Sequence, residues 1–290
     1  MSNTSDLEQE AASSESIATL TADDIKAMSY NDLIGLVRET NRFPGGRRSI
    51  QKIASRLMLS QDTRLLEVGC ATGSTAIELN RLVGCVPTAI DINQLSINES
   101  KRRAEEVNAK VKFMLADATK LPFEDKAFEL VICGNVTALI EDKLAALAEY
   151  KRVLSDGGYL VAAPLYYTKE PSDSLIEKVR TAIQVPIPIL YRDDALNAFQ
   201  NIGLEIYDHL DFEFEDIPSE LVHSFCKNIL SREHLKALSM EAKTMLDQVY
   251  LEYMLLFREN MTILGYTIIF LRKTDFIEDA DLFTSHEVAR

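Results

Sequence analysis

The stretch from Arg64 to Asp91 (RLLEVGCATGSTAIELNRLVGCVPTAID) constrains the fold of this chain more than any other segment. It opens with a short apolar run, Leu65 to Val68, of the kind expected for a strand covered on both faces. Gly69 and Gly73 then allow a tight turn, and the apolar spacing that follows predicts a helix. A second strand ends at Asp91, where a carboxylate can accept hydrogen bonds from both hydroxyls of a ribose. The stretch therefore predicts a nucleoside-binding βαβ unit.

A dinucleotide site is disfavoured in this unit. The pattern G-x-G-x-x-G starting at Gly69 requires glycine at positions 71 and 74, where Ala71 and Ser74 stand. Glycine turns also follow strands for packing reasons alone, so the turn is suggestive only together with other segments. A nicotinamide oxidoreductase is the third-ranked interpretation.

The turn resembles motif I of the class I S-adenosylmethionine (SAM)-dependent methyltransferases, an acid-x-Gly-x-Gly-x-Gly pattern. The matching residues are Glu67-Val68-Gly69-Cys70-Ala71-Thr72-Gly73, with Ala71 in place of the middle glycine. Later segments resemble the family in the same order: Asp91, then Ala116-Asp117-Ala118 with Leu121-Pro122-Phe123, then Arg152-Val153-Leu154-Ser155-Asp156-Gly157-Gly158. In the last segment Asp156 replaces the usual proline. The resemblance covers about residues 64 to 164.

This resemblance implies that SAM is the cofactor and that particular residues bind it. The implied set is Glu67, Gly69, Cys70, Ala71, Gly73, Asp91, Ile92, Asp117, Ala118 and Asn135, with Tyr30 and Arg42 as further candidates for the methionine carboxylate. Asp91 would hold the ribose, Asp117 the adenine amine, and Ile92 would lie under the adenine ring. The alternatives are that Asp117 forms a turn and that Tyr30 simply packs. Arg42 would then be a solvated loop charge.

The candidates on the acceptor side are Asn135, Tyr166, Tyr167 and His223. Asn135 follows the fourth predicted strand at the sheet edge where ligands bind in open α/β folds, although Asn is equally suited to a turn there. The Asn/Asp-Pro-Pro signature of DNA and protein N-methylation is absent after this strand. Methyl transfer does not strictly require a base, because the sulfonium is already activated and orientation can suffice. Neither a metal site nor a disulfide is indicated, because the four cysteines are widely separated.

The pattern of elements predicts a three-layer α/β sandwich with a seven-stranded, mostly parallel sheet whose last strand is antiparallel, plus a helical cap. The expected regions are a disordered acidic N-terminus (1–20), N-terminal helices over the cofactor (21–60), a Rossmann-like SAM-binding core (61–215), a helical cap insertion (216–261) and the last strand with a tail (262–290). The helix after the fourth strand is expected to bury Leu144. The insertion is expected to cover the acceptor pocket or to form a dimer surface.

Net charge and hydropathy limit the classes of partner that this chain is expected to bind. The formal net charge of −14 argues against a broad phosphate-backbone footprint, so no nucleic-acid partner is expected. No run of 18 apolar residues or export signal is seen, which favours a cytoplasmic protein without a membrane partner. The expected activity is methyl transfer from SAM to a small-molecule acceptor, through O, N or C, with release of S-adenosylhomocysteine. The alternatives are a protein or RNA methyltransferase and a non-catalytic SAM-binding partner subunit. A homodimer through the helical insertion is a further possibility.

Overall fold

In the computed structural model, which describes residues 17–40, 43–200 and 202–274, helices cover both faces of one mixed sheet. The strands are β1 (Leu65–Val68), β2 (Thr88–Asp91), β3 (Lys112–Leu115), β4 (Phe128–Cys133), β5 (Leu154–Ala162), β6 (Leu165–Tyr167), β7 (Glu205–Glu213) and β8 (Leu264–Arg272). The helices are α1 (Ala22–Ala27), α2 (Tyr30–Leu36), α3 (Gly46–Arg56), α4 (Ser74–Val83), α5 (Gln94–Glu106), α6 (Lys143–Val153), α7 (Asp173–Ile183), α8 (Arg192–Gln200), α9 (Ser219–Leu230) and α10 (Met240–Met261).

The sheet is mostly parallel, with one antiparallel strand near its edge. The order is β3-β2-β1-β4-β5-β8, with β7 on the far side of β8, and β8 runs antiparallel to both neighbours. This topology confirms the predicted fold class. The additional short strand β6 pairs with β8 on the same edge as β5. It continues β5 beyond Pro164, which has no N–H to donate to the ladder and therefore interrupts the strand.

The buried strand β1 shows why three layers form. Its four residues are all buried, and successive side chains point to opposite faces of the sheet. Leu66 and Val68 pack in a cluster with residues of α6 and α8, whereas Leu65 packs in a second cluster with residues of α3 and α4. The near-continuous apolar run of the sequence is therefore explained by helices on both faces.

A separate helical layer lies at the carboxyl ends of the parallel strands. The helical cap, residues 216–261, follows the carboxyl end of β7 and contains α9 and α10. These two helices share one buried cluster with α1 and α2, in which Tyr250 and Leu246 of α10 are fully buried. The helix α7, which sequence analysis missed, packs against both α10 and α2. The sequence does contain a pattern that predicts this helix, because Leu175, Ile176 and Val179 recur at helical spacing.

Two predictions about order and burial are wrong. The disordered N-terminus was expected to reach residue 20, but Ile17 and Leu20 pack against the cluster formed by the cap and N-terminal helices. Leu144 was expected to face inward but is 75% exposed at the start of α6. Residues 1–16 and 275–290 lie outside the described residues, as does Arg42. No helix in the described part of the chain combines the length and apolarity that a bilayer span requires.

A matched pair of truncations tests this core. Phe270→Ala removes a side chain that is 1% exposed in β8, and large-to-small changes at such sites typically cost about 3–5 kcal/mol of unfolding free energy. Leu144→Ala removes a largely exposed side chain and should change the unfolding free energy by no more than about 0.5 kcal/mol. Urea denaturation followed by circular dichroism measures both values. Equal losses in the two variants would contradict the burial described here.

Candidate cofactor and acceptor site

The segment Gly69–Gly73, called the cofactor loop below, connects β1 to α4. The N–H groups of Gly69 and Cys70 both donate to the Ile90 carbonyl of β2, each at 2.9 Å. Gly73 closes the turn by donating to the Cys70 carbonyl at 2.8 Å. The loop is therefore held at the carboxyl ends of two adjacent parallel strands, where ligands bind in open α/β sheets.

The two glycines of the loop are required by backbone conformation and by close neighbours. Gly69 has a φ of +71°, and a Cβ there would lie 2.5 Å from Cγ2 of Val136. Gly73 has a φ of +78°, and its Cβ would lie 2.8 Å from the ring of Phe113. Neither position tolerates a larger residue without movement of its neighbours.

Ala71 occupies a left-handed conformation although it is not glycine. Its φ is +44°, which costs an L-residue roughly 1–2 kcal/mol relative to ordinary helical geometry. Two hydrogen bonds hold it there, one from its N–H to Asp91 Oδ2 at 2.8 Å and one to its carbonyl from Ser100 Oγ at 2.8 Å. These hydrogen bonds therefore hold Ala71 in a backbone conformation that glycine adopts at lower cost.

Glu67 is a buried carboxyl group beneath the loop. It is 4% exposed, and its Oε2 accepts the Ala76 N–H at 2.9 Å, in the first turn of α4. This contact replaces the side-chain cap that Gly73 cannot provide at the start of the helix. Burial raises the pKa of Glu67 to about 8, against hydrogen bonds from Thr75 and Ala76 that lower it. Burial also raises the pKa of the neighbouring Cys70 thiol.

Asp91 joins the loop to the next helix. Its Oδ2 accepts from Ala71 and its Oδ1 accepts the Asn93 N–H at 2.9 Å. Burial raises the pKa of Asp91, and these backbone hydrogen bonds act in the opposite direction. Each carboxylate oxygen can accept more than one hydrogen bond, so Asp91 also has capacity for ribose hydroxyls. Asn93 in turn donates to Asp32 Oδ1 at 2.8 Å, which fastens the start of α2 beside the same edge.

The predicted adenine side lies at the ends of β2 and β3. Ile92 is 75% exposed and Leu115 is 52% exposed, so apolar surface is available there for a planar ring. Asp117 is exposed, and its Oδ1 accepts from both the N–H and the hydroxyl of Thr119 at 2.8 Å. Asp117 therefore forms a turn through Oδ1, and a carboxylate has a second oxygen, Oδ2, that can accept from an amine. Ala118 is partly buried against the sheet.

On the acceptor side, the structure connects Asn135 to the two predicted tyrosines. Asn135 Oδ1 accepts the N–H of Leu165 at 3.0 Å, which brings the end of β4 beside the start of β6. Tyr166 and Tyr167 follow in β6 and are 6% and 5% exposed. The Tyr166 hydroxyl accepts from Thr267 at 3.3 Å, and the Tyr167 hydroxyl donates to Asn260 at 3.1 Å. Both phenols are thus held in place, and burial raises the pKa of each.

Two other candidates lie elsewhere. His223 is exposed on α9, and its Nδ1 lies 2.8 Å from the Ser219 carbonyl of the same helix, so its placement does not favour a catalytic base. The Tyr30 ring packs against Phe257 of the cap, with ring centroids 4.4 Å apart, which is the packing alternative considered for it.

Sequence analysis missed the residues that brace the loop from the N-terminal side. The hydroxyl of Thr72, fully buried, donates to the Glu39 carbonyl at 2.7 Å. Phe43 and Pro44 lie against Gly134 at the end of β4, where an added Cβ would be 3.5 Å from the proline ring. The available signal was the pair Gly45-Gly46 at the start of the amphipathic helix α3.

Comparison with known proteins agrees with this geometry. A family model described as a methyltransferase domain matches residues 66–162. The O-methyltransferase cnsE of Penicillium expansum is 30% identical, and the alignment covers 77% of each chain. The chain belongs to the class I SAM-dependent methyltransferases. Its cofactor is SAM, and it is an enzyme that transfers a methyl group from SAM to a small molecule, releasing S-adenosylhomocysteine.

Solved structures share the methyltransferase fold. The MccD protein superposes with a TM-score of 0.66 at 23% identity, over 81% of this chain and 100% of that chain. A phosphoethanolamine N-methyltransferase 2 of Haemonchus contortus in complex with SAM gives a TM-score of 0.62 at 17% identity, over 88% of this chain and 58% of that chain. At these identities the likeness concerns the fold.

The site fits the methyltransferase cofactor in its donor set. SAM contains a ribose, an adenine and a cationic sulfonium. Asp91 can accept hydrogen bonds from the ribose, and the exposed Ile92 offers apolar surface to the adenine. The carboxylate of Asp91 supplies negative charge beside the cofactor loop, as a cationic ligand requires. Within the described part of the chain, no group of three or more His, Cys, Asp and Glu side chains is arranged to hold a metal ion. The binding role of each individual residue stays a prediction.

Asp91→Asn tests the predicted ribose contact. The change keeps the side-chain size but removes the charge, and hydrogen bonds to charged groups contribute about 1.5–3 kcal/mol. We expect the affinity for S-adenosylhomocysteine, measured by calorimetric titration, to fall by about 10- to 100-fold. Asp62→Asn, at an exposed position before β1, is the control and should bind normally. Unchanged binding by the Asp91 variant would remove this residue from the site.

Glu67→Gln tests the buried carboxyl group through the pH dependence of stability. Because the pKa of Glu67 is raised in the folded protein, from 4.5 to about 8, its proton stabilises the fold below about pH 4.5, and this stability is lost as the pH rises to about 8. Glutamine keeps an oxygen for Ala76 but does not ionise. Between pH 5 and 8, the ionisation of Glu67 should lower the unfolding free energy of the natural protein by up to about 1.4 kcal/mol per pH unit. We expect the variant to lack this contribution to the pH dependence.

The matched control for this pH experiment is Glu105→Gln, at an exposed position of α5. Urea titrations at several pH values should give the control the same slope as the natural protein. If the Glu67 variant also keeps that slope, Glu67 ionises normally in the folded state.

Proposed function

We propose that this methyltransferase transfers the methyl group to an oxygen atom of its small-molecule acceptor, bound at the carboxyl end of β4, beside the start of β6 and under the helical cap. The observation that carries the proposal is the orientation of Asn135. It lies directly after β4, and its side chain contacts the first residue of β6. One end of the Asn135 amide is used in this contact, and the other end can bind a ligand. The chemical nature of that other end therefore decides which acceptor atom is favoured.

The orientation of the Asn135 amide follows from its partner. The Leu165 N–H can only donate, so the side-chain atom facing it at 3.0 Å is the oxygen Oδ1. Asn135 therefore offers Nδ2, with two N–H donors, to a ligand. Donors of this kind favour the ionised form of a hydroxyl or carboxyl group, which is the reactive nucleophile. An amine acceptor would instead require a hydrogen-bond acceptor to orient its N–H groups.

The residues of this chain thus hold and orient the acceptor oxygen. SAM, when bound, supplies an activated methyl group on a positively charged sulfonium. Asn135 positions the acceptor, and the buried Tyr166 and Tyr167 follow Leu165, the residue that Asn135 contacts. The cap helices α9 and α10, packed on α1 and α2, exclude water from the same edge of the sheet. The relative from Penicillium expansum, named as an O-methyltransferase, supports the choice of oxygen.

The proposal includes the expected partners. The net charge of −14 supports an acceptor other than nucleic acid, and we expect a cytoplasmic protein without a membrane partner. Leu221 and Phe225 lie one turn apart on α9 and are 59% and 39% exposed, which supports a homodimer through the helical insertion. The division into N-terminal helices, SAM-binding core and helical cap belongs to the same proposal.

Asn135→Asp is the sharpest test of oxygen methylation. Aspartate keeps an oxygen for the Leu165 N–H but replaces the donor Nδ2 with a second acceptor, which repels an anionic nucleophile. We expect kcat to fall by about 100-fold, as when a single donor to a developing oxyanion is removed. The KM for SAM should change less than about twofold, because the proposal assigns Asn135 to the acceptor and leaves the cofactor to the cofactor loop and Asp91.

The assay measures transfer from methyl-labelled SAM to a panel of hydroxylated, carboxylated and amine compounds, with the product identified by mass spectrometry and NMR. Asn98→Asp, at an exposed position of α5, is the matched control and should retain full activity. A product methylated on nitrogen or carbon, or full activity in the Asn135 variant, would overturn the assignment to oxygen.

A further inference from the structure

We propose that Glu39 is a positioning residue that couples the helical cap to the cofactor loop, so that affinity for SAM depends on a hydrogen bond made in the cap. The inference rests on SAM as cofactor and is independent of the acceptor atom. Glu39 lies between the two parts, just after α2, and is 7% exposed. Its main-chain carbonyl contacts the cofactor loop, and its side-chain carboxylate contacts the helical cap.

The backbone places Glu39 rigidly. Helix α2 ends in a Schellman turn, in which the Arg38 N–H donates to the Gly35 carbonyl at 3.1 Å and the Glu39 N–H donates to the Ile34 carbonyl at 2.9 Å. Arg38 takes the left-handed position of this turn, with a φ of +56°. The turn directs the chain from α2 back toward the cofactor loop, with little freedom at Glu39.

The main chain of Glu39 holds the cofactor loop. Its carbonyl accepts the Thr72 hydroxyl at 2.7 Å and Arg103 Nη1 at 3.3 Å. Arg103 also donates to Thr72 Oγ1 at 3.2 Å and to Thr40 Oγ1 at 2.7 Å. Thr72 is the residue before Gly73, so its side chain limits how far the loop can move.

The side chain of Glu39 contacts the cap. Its Oε2 accepts the hydroxyl of Tyr250, a fully buried residue of α10, at 2.6 Å. Burial, and then the charge of Glu39, raise the pKa of Tyr250, so the hydroxyl keeps its proton and donates throughout the physiological range. A short hydrogen bond between a buried donor and a carboxylate is stronger than one between neutral groups.

Cap residues also hold the chain on the other side of Glu39. Arg232 Nη1 donates to the Val37 carbonyl at 2.6 Å and to the Arg38 carbonyl, and His234 Nε2 lies 3.0 Å from the Leu36 carbonyl. The Leu36 carbonyl belongs to the last turn of α2, where carbonyls accept no hydrogen bond from within the helix. The cap therefore fixes the segment from which Glu39 reaches the loop.

A displacement of Tyr250 therefore moves the residue that braces Thr72. In thermodynamic terms, the cap and the loop share a coupling free energy, and anything that orders one orders the other. SAM binding should favour the docked cap, and loss of the Tyr250 contact should weaken SAM binding. A role in stability alone predicts a lower unfolding temperature without a change in affinity at lower temperature.

A double-mutant cycle on Thr72 and Tyr250 tests the coupling. Tyr250→Phe and Thr72→Val each remove one hydroxyl, and calorimetric titration with S-adenosylhomocysteine measures the effect well below the unfolding midpoint. Each should weaken binding about tenfold, the scale of one hydrogen bond to a charged or buried group. Because both act through Glu39, the double variant should also be weaker by about tenfold, not by the hundredfold expected for independent sites.

Tyr253→Phe is the matched control, because Tyr253 lies on the same helix and its hydroxyl donates only weakly, at 3.4 Å, to the Met28 carbonyl. It should bind normally. Glu39→Gln, which keeps the size and an acceptor oxygen, provides a second variant if Tyr250→Phe folds poorly, and it should weaken binding severalfold. In turnover, Tyr250→Phe should raise the KM for SAM and leave kcat at saturating SAM unchanged. Normal affinity in Tyr250→Phe and Glu39→Gln, or multiplicative losses in the double variant, would overturn the coupling.

Discussion

The rest of the site depends on the carboxylate of Asp91, which stands at the end of β2 and holds the backbone of the cofactor loop. Its two oxygens accept the N–H groups of Ala71 and Asn93, and so tie the turn after β1 to the start of α5. Ala71 remains in the left-handed region because this hydrogen bond and the one from Ser100 hold it there. A charge kept partly out of water in this way is stable only while its hydrogen bonds are kept.

A second layer of contacts surrounds this loop and comes from outside the βαβ unit. Val136 after β4 lies over Gly69, and Thr72 is held by the carbonyl of Glu39. The N-terminal helices and the helical cap, far apart in sequence, share one buried cluster and meet the loop through Glu39 and Tyr250. In the proposed site, cofactor and acceptor would bind against one connected helical layer, which suits an enzyme that must exclude water from a reactive sulfonium.

Much of the core could be predicted because its signals are local. The strand Leu65–Val68 was predicted with its observed bounds, since a short apolar run directly before a glycine turn fits few other structures. Leu144 was misplaced because helical spacing identifies a stripe but not where the stripe ends. His223 was a candidate for the acceptor side, and the structure places it in an exposed position of α9. The helix α7 was missed because it lies in a connection that the minimal fold does not require.

The sequence by itself determined the βαβ unit, the order of the strands that resemble the family and the positions of Gly69, Gly73 and Asp91, because these depend on conformational freedom and on charge within about thirty residues. Only the tertiary structure decided which way the Asn135 amide faces, that Glu67 is buried deeply enough to raise its pKa to about 8, and that Glu39 meets Tyr250. These features arise from contacts between segments as much as 211 residues apart, and no local pattern encodes them. Local sequence sets backbone preferences, whereas hydrogen-bond partners and desolvation are properties of the packed chain.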